Sequence, residues 1–348
     1  MVENPIKLNI KRKSEQGFAL IAVLLTIALL AAFIIEFHYE SRIKLHLADN
    51  FNRSAQALNN ADAGIAIAIA ALRENDNILT NENTRSYFSG SQEISIEDGS
   101  CKISIAQESG KININALYTP DGKLNQSGVE QFLRLIDNIN KQSGRDTSIS
   151  YGIVPAIIDW VDSDDDVTML SFVRGQSSGA ENSYYQKLNE PYHCKNDSFE
   201  VLSELLLVKG MTNDIFYGCS GDENAGIKSI PGISQYLTVY GDGKININEA
   251  SAMVIQSLSE NMSLPLAQNI VEQRKNRRYL NIEQLKLVPG MTSEVYDEIF
   301  PVITVKTNDM YYIVTAKGVV EDFERVVKVV LRKNPSTSNV DVLMRFES

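Results

Sequence analysis

The sequence predicts an α+β protein in which a long N-terminal helix packs on a small antiparallel sheet and a large α-rich domain is inserted into that sheet. Three observations carry this reading. An uncharged apolar run from Phe18 to Ile35 passes, without proline, into a segment of helical period. Alternating apolar and polar residues mark strands at 94–105 and again near the C-terminus. Between them, two short blocks of sequence each occur twice. The chain has 348 residues, room for about two folded units. Its net charge of −11 weighs against a nucleic-acid binder, which needs Lys and Arg to neutralise phosphates.

The helix comes first. Residues 18–35 hold no charge and would span ~27 Å at 1.5 Å per residue, close to the hydrocarbon thickness of a bilayer. A secretory signal peptide has a shorter apolar core and a small-residue cleavage site. Cleavage after Ala32 would meet Glu36, Phe37 and His38, so the run is expected to stay as a membrane helix. Lys7, Lys11, Arg12 and Lys13 precede it and orient the N-terminus to the cytoplasm. Beyond it Leu47, Phe51, Ala55, Leu58, Ala61, Ile65, Ile69 and Leu72 recur every three or four residues, and no proline lies between Pro5 and Pro120. The expected helix is 18–75, membrane-spanning over 18–35 and amphipathic beyond, with Gly64 its weak point.

Sheet and insert follow. Ile94-Ser95-Ile96 and Cys101 to Ile105 read as strands, as do Val302 to Val305, Tyr311 to Val319, Arg325 to Leu331 and Val340 to Met344, with a turn at Glu321-Asp322. The sheet is therefore expected from 76–109 together with 301–348. Inside it, Gly110-Lys111-Ile112-Asn113-Ile114-Asn115 recurs at Gly243 to Asn248, and Leu207-Val208-Lys209-Gly210-Met211-Thr212 recurs as Leu287-Val288-Pro289-Gly290-Met291-Thr292. The insert, 110–300, thus holds two helix-Gly-helix units of SAM-like type, about 110–225 and 226–300. The first carries 53 additional residues between the two blocks. Such hairpins can also hold DNA phosphates, and Arg274, Lys275, Arg277 and Arg278 lie upstream of the second. A structural hairpin is the expectation.

A basic leader ending in Lys11-Arg12-Lys13-Ser14-Glu15-Gln16-Gly17, with Phe18 opening the apolar helix, resembles type IV pilins and pseudopilins. The resemblance implies a pilin-like fold, removal of residues 1–17 by a prepilin peptidase acting after Gly17, and N-methylation of Phe18. The fifth residue from Phe18 is Ala22, where most of that family carry glutamate. This absence, the large portion after the helix, and the segments Ile158 to Asp162, Gly179-Ala180-Glu181-Asn182, Ser203 to Thr212 and Gly243 to Asn248 resemble the minor pseudopilin K (GspK) family of type II secretion. That implies an inner-membrane, single-pass protein with its bulk in the periplasm. It implies a place at the pseudopilus tip beside minor pseudopilins I, J and H, and contact with the secreted substrate or the outer-membrane secretin. A membrane-tethered periplasmic adaptor outside any filament is the alternative.

Asp159, Asp162, Asp164, Asp165 and Asp166 put five carboxylates into eight residues, and Glu181 and Asn182 follow a Gly-Ser stretch. The spacing of 162–166 matches the first ligands of an EF-hand, but Val167 and Val173 stand where its glycine and glutamate should. The set is either a solvated acidic loop or a site for a hard divalent cation, and the family resemblance implies calcium. Of three cysteines, Cys194 and Cys219 are expected to form a disulfide in an oxidising compartment, leaving Cys101 in the sheet. Histidines 38, 46 and 193 make no catalytic constellation, and with no HExxH, nucleophile elbow or phosphate loop an enzyme is not expected.

Overall fold

A computed structural model describes residues 12–74, 82–96, 99–119, 121–143, 149–170, 178–219, 230–307 and 309–348. Most of the expected leader, Val173 and residues 220–229 lie outside them.

Helix α1 runs Arg12–Glu74 in one piece, through Gly17 and Phe18. From Phe18 to Phe37 its large apolar side chains are exposed, and the helix is long and apolar enough to cross a membrane. The packed face begins later than the sequence suggests. Leu47 and Phe51 are exposed, whereas Ala57, Ala61, Ile65, Ala68 and Leu72 are buried against the sheet. Small residues face the strands because the backbones approach closely. A Cβ at Gly64 would collide with Cys101 Sγ, and one at Gly318 with the Ala57 carbonyl. Gly64 therefore makes the contact possible instead of weakening it.

After α2 (Glu82–Phe88), strands β1 (Ser89–Ile96) and β2 (Gly99–Gln107) form one side of the sheet. The chain then leaves for about two hundred residues. The insert opens with β3 (Ile112–Asn113) and holds α3 (Gln126–Ser143), α4 (Ile153–Val161), α5 (Asn182–Tyr185), α6 (Asn213–Tyr217), β4 (Gly218–Cys219), β5 (Ile230–Pro231) and β6 (Leu237–Thr238). It continues through β7 (Ile245–Asn246), α7 (Ala252–Ser257), α8 (Leu264–Asn276), α9 (Ser293–Ile299) and β8 (Ile303–Thr304). The chain returns as β9 (Met310–Val320), β10 (Phe323–Lys333) and β11 (Val340–Glu347), giving an antiparallel sheet of order β1-β2-β9-β10-β11. The turn at Glu321-Asp322 is as expected, with Glu321 at φ 51°. Lys333, buried beneath the sheet, donates its ammonium to the Leu72 carbonyl at the end of α1.

The insert has its own core, and its two halves bond in the same way. Asn115 Nδ2 donates to the carbonyls of Phe199 and Val239 (both 3.0 Å), and its Oδ1 accepts from the Phe199 amide (2.8 Å). Asn248, its counterpart, donates to Tyr279 and Val305 and accepts from the Tyr279 amide (2.9 Å). Gly210 and Gly290 both sit at positive φ, 85° and 92°, the left-handed turn that glycine adopts without strain. The helices before them are 3-10 turns, Leu202–Leu207 and Ile282–Leu287. Two expected boundaries move. β6 pairs in parallel with β3 and β8 with β7, so the first half closes near 240 and the second near 305. Ile303–Thr304 therefore belongs to the insert. Two residues give too little alternation to assign a strand to one sheet or another from sequence.

Candidate metal centre

Asp159 lies in the last turn of α4 and Asp162 is its C-cap, three residues on and so on one face of the helix. Ile153 to Ile158 and Trp160 are buried core residues, and the two carboxylates are drawn inward with them. Glu181 enters from the other side as the residue preceding α5, anchored by Tyr185, which is fully buried. One oxygen from each of Asp159, Asp162 and Glu181 lies within 4.8 Å of the others. The three residues are 0%, 4% and 1% exposed, so water cannot screen their mutual repulsion.

The donors are few. Asp159 Oδ1 accepts from the Thr168 amide (2.9 Å), but Asp159 Oδ2, Asp162 Oδ1 and both Glu181 oxygens have no hydrogen-bond donor in good geometry. Buried polar atoms almost always have one. Burial, reinforced by the neighbouring carboxylates, pushes Asp162 up to about 7 and Glu181 up to about 8. Asp159 is raised too, chiefly by burial and against the relief of its amide contacts. Gly179 covers the cluster, since a Cβ there would overlap Asp159 Oδ2. Trp160 packs edge-on to Tyr185 (5.3 Å) and stacks with Phe199 (6.4 Å), closing the apolar side. The residues present suit a hard divalent cation, whose charge would supply what the orphaned oxygens lack.

The structure thus gathers three of the seven expected ligands. Asp164, Asp165 and Asp166 are exposed and bond locally: Asp164 Oδ1 accepts from the Asp166 amide (2.8 Å) and Asp165 from Asn182 Nδ2 (3.3 Å). Asn182 Oδ1 accepts from the Cys194 amide (2.9 Å), so this residue shapes the loop. Sequence reasoning overlooked Thr168 and the covering role of Gly179, because neither carries a charge.

No disulfide joins Cys194 to Cys219. Cys194 is a buried thiol whose Sγ donates to the Asp159 carbonyl (3.3 Å), turned into the core beneath the cluster. Cys219 lies on the β4–β5 ribbon opposite Ile230. Cys101 is buried in β2 against Gly64, as its place in the sheet required. Three of the four basic residues before the second hairpin bond within the chain, whereas Arg277 is exposed. Arg274 donates to the Ile247 carbonyl, Arg278 pairs with Glu249, and Lys275 pairs with Glu272 (2.7 Å). The α9 N-terminus is capped by Thr292 and carries Glu294, which opposes a phosphate there.

Comparison with known proteins gives two family matches. Residues 110–218 match the first domain of type II secretion system (T2SS) protein K, and residues 241–304 match a helix-hairpin-helix motif. The chain is 27% identical over 272 residues to the type II secretion system protein K of Pseudomonas aeruginosa, covering 76% of this chain and 73% of that protein. It is also 27% identical over 210 residues to an Escherichia coli K12 protein provisionally named for the same component, covering 58% of this chain and 60% of that one. A chain in the crystal structure of the GspK-GspI-GspJ complex from enterotoxigenic Escherichia coli has the same fold, with TM-score 0.61 and 17% identity over 86% of this chain and 99% of that chain.

Proposed function

We propose, from the premise that the chain is a relative of type II secretion system protein K, that it is a minor pseudopilin at the tip of the type II secretion pseudopilus, supporting assembly and protein export across the outer membrane. The observation that carries this is the joining of two parts in one chain. An unpartnered apolar helix, fit for a single-pass anchor, leads through one antiparallel sheet into the insert that matches protein K. In this reading prepilin peptidase removes the leader after Gly17 and the helix lies in the inner membrane, with the sheet and insert in the periplasm. Ala19, Ala22, Ala28, Ala31 and Ala32 leave room for neighbouring helices to approach. Minor pseudopilins I and J are the proposed neighbours, on the strength of the complex formed by the related protein, and H is proposed from the family resemblance alone. Without a glutamate at Ala22 there is no carboxylate to pair with a subunit above, and the bulk of the insert would block one from adding. Any contact with secretin or substrate would be made by the insert.

Calcium is the proposed ion, structural in role, held by Asp159, Asp162 and Glu181. A divalent cation there supplies the counter-charge that lets the three carboxylates ionise together and so locks the end of α4 to the start of α5.

Mass spectrometry of the N-terminal peptide tests the pilin pathway. The expected peptide begins with methylated Phe18. An intact Met1, or a terminus created after Ala32, contradicts it and favours a tethered adaptor.

A further inference from the structure

The two hairpins of the insert differ at one instructive position. Val208-Lys209-Gly210 of the first corresponds to Val288-Pro289-Gly290 of the second, and both glycines hold the same left-handed turn. The hairpin therefore forms without a cation at this point, and the lysine's role lies outside it. Lys209 Nζ donates to the carbonyls of Gly179 (3.0 Å) and Ser178 (3.3 Å). It also lies 5.1 Å above the ring of Tyr184, and the Lys209 amide donates to Tyr185 Oη (3.2 Å). These partners bracket Glu181 on both sides. Gly179 is also the residue whose backbone rests on Asp159.

Resting on the calcium reading above, we propose that Lys209 is the positioning residue of the metal centre, tethering the Glu181 segment over α4 so that its carboxylate meets Asp159 and Asp162. Glu181 has no hydrogen bond from either oxygen to hold it in place. Its position is set instead by the residues on either side, and Lys209 grips both flanks at once. Electrostatics and tethering make opposite predictions. An ammonium near a cation site repels the ion, so by Coulomb's law alone its removal should tighten binding. A lost tether should loosen it.

The test uses the full-length protein in detergent, stripped with chelator. Tb3+ luminescence sensitised by Trp160, the single tryptophan, reports occupancy, and competition by Ca2+ gives the affinity. Lys209→Met is expected to weaken calcium binding about tenfold or more, the loss usual when an outer support of a metal ligand is removed. Lys209→Arg, which keeps charge and donors, is expected to stay within about threefold of the wild type. Melting of the stripped proteins should shift far less than the affinity. Lys209→Gln, neutral and shorter, is a second variant with the expectation of the Met variant, should that one fail to fold. Unchanged or tighter binding in the neutral variants overturns the tether and leaves the metal centre standing. A wild type that binds neither ion overturns both.

Discussion

Stripping divalent cations from the protein should leave it least stable at alkaline pH, because Asp159, Asp162 and Glu181 then share a dry pocket with no counter-charge. The sign follows from the raised carboxyl groups. Asp162 moves from 3.8 to about 7 and Glu181 from 4.5 to about 8, both through burial first and neighbouring carboxylates second. Between the unfolded and folded values the folded chain holds more protons than the unfolded one, so stability falls as pH rises through about 4 to 8. For Asp162 alone the cost of ionising is on the order of 4 kcal/mol, at 1.36 kcal/mol per tenfold. A bound dication removes that cost. At a hundredfold excess over its dissociation constant, calcium should add about 2.7 kcal/mol, or about 5–10 °C in melting temperature for a domain of this size. The gain should shrink at pH 5.5, where protons compete for the same oxygens. The assay is thermal unfolding with calcium or chelator from pH 5.5 to 8.5, on wild type and Asp162→Asn. The variant should lose most of the calcium response but only part of the alkaline instability, because Glu181 and Asp159 stay buried. A melting curve indifferent to calcium, chelator and pH would falsify the centre.

Two further outcomes follow from the fold and the processing site. Asn248→Ala should destabilise the insert by about 2–4 kcal/mol in chemical denaturation, because it strands the buried Tyr279 amide and two carbonyls at once. A loss below about 0.5 kcal/mol, ordinary for a surface change, would show that the clamp does not hold the second half together. Gly17→Val should leave full-length precursor in the membrane and stop secretion, read by immunoblot, and normal cleavage of that variant would remove the protein from the pilin pathway.

The order of the elements was legible because the signals were local. Alternation in β2, β9 and β10 marked strands whose faces are buried in turn, and the repeated motif marked two asparagines, Asn115 and Asn248, that bond alike. Depth was less legible. Asp162 and Asp164 differ by two residues and carry the same group, yet one is buried and the other exposed, because the C-cap of α4 turns the chain outward between them. Leu47 and Phe51 fit the helical stripe as well as Ile65 does, but full burial against the sheet begins only at Ala57. Small residues at Gly64, Ala61 and Gly318 carry no hydrophobic signal, though the close packing of α1 on the sheet depends on them. The Cys194 side chain turns toward Asp159 on account of loop bonds to Asn182 that spacing alone does not reveal.

The most direct measurement of the central proposal is quantitative co-isolation from membranes expressing the chain with minor pseudopilins I and J. The account predicts a detergent-stable complex containing one copy of the chain, beginning at Phe18, with both partners. Ala22→Glu should disturb that complex by leaving a carboxylate unpaired among apolar helices. Recovery of the chain alone, or in many copies along a filament, would contradict a place at the tip.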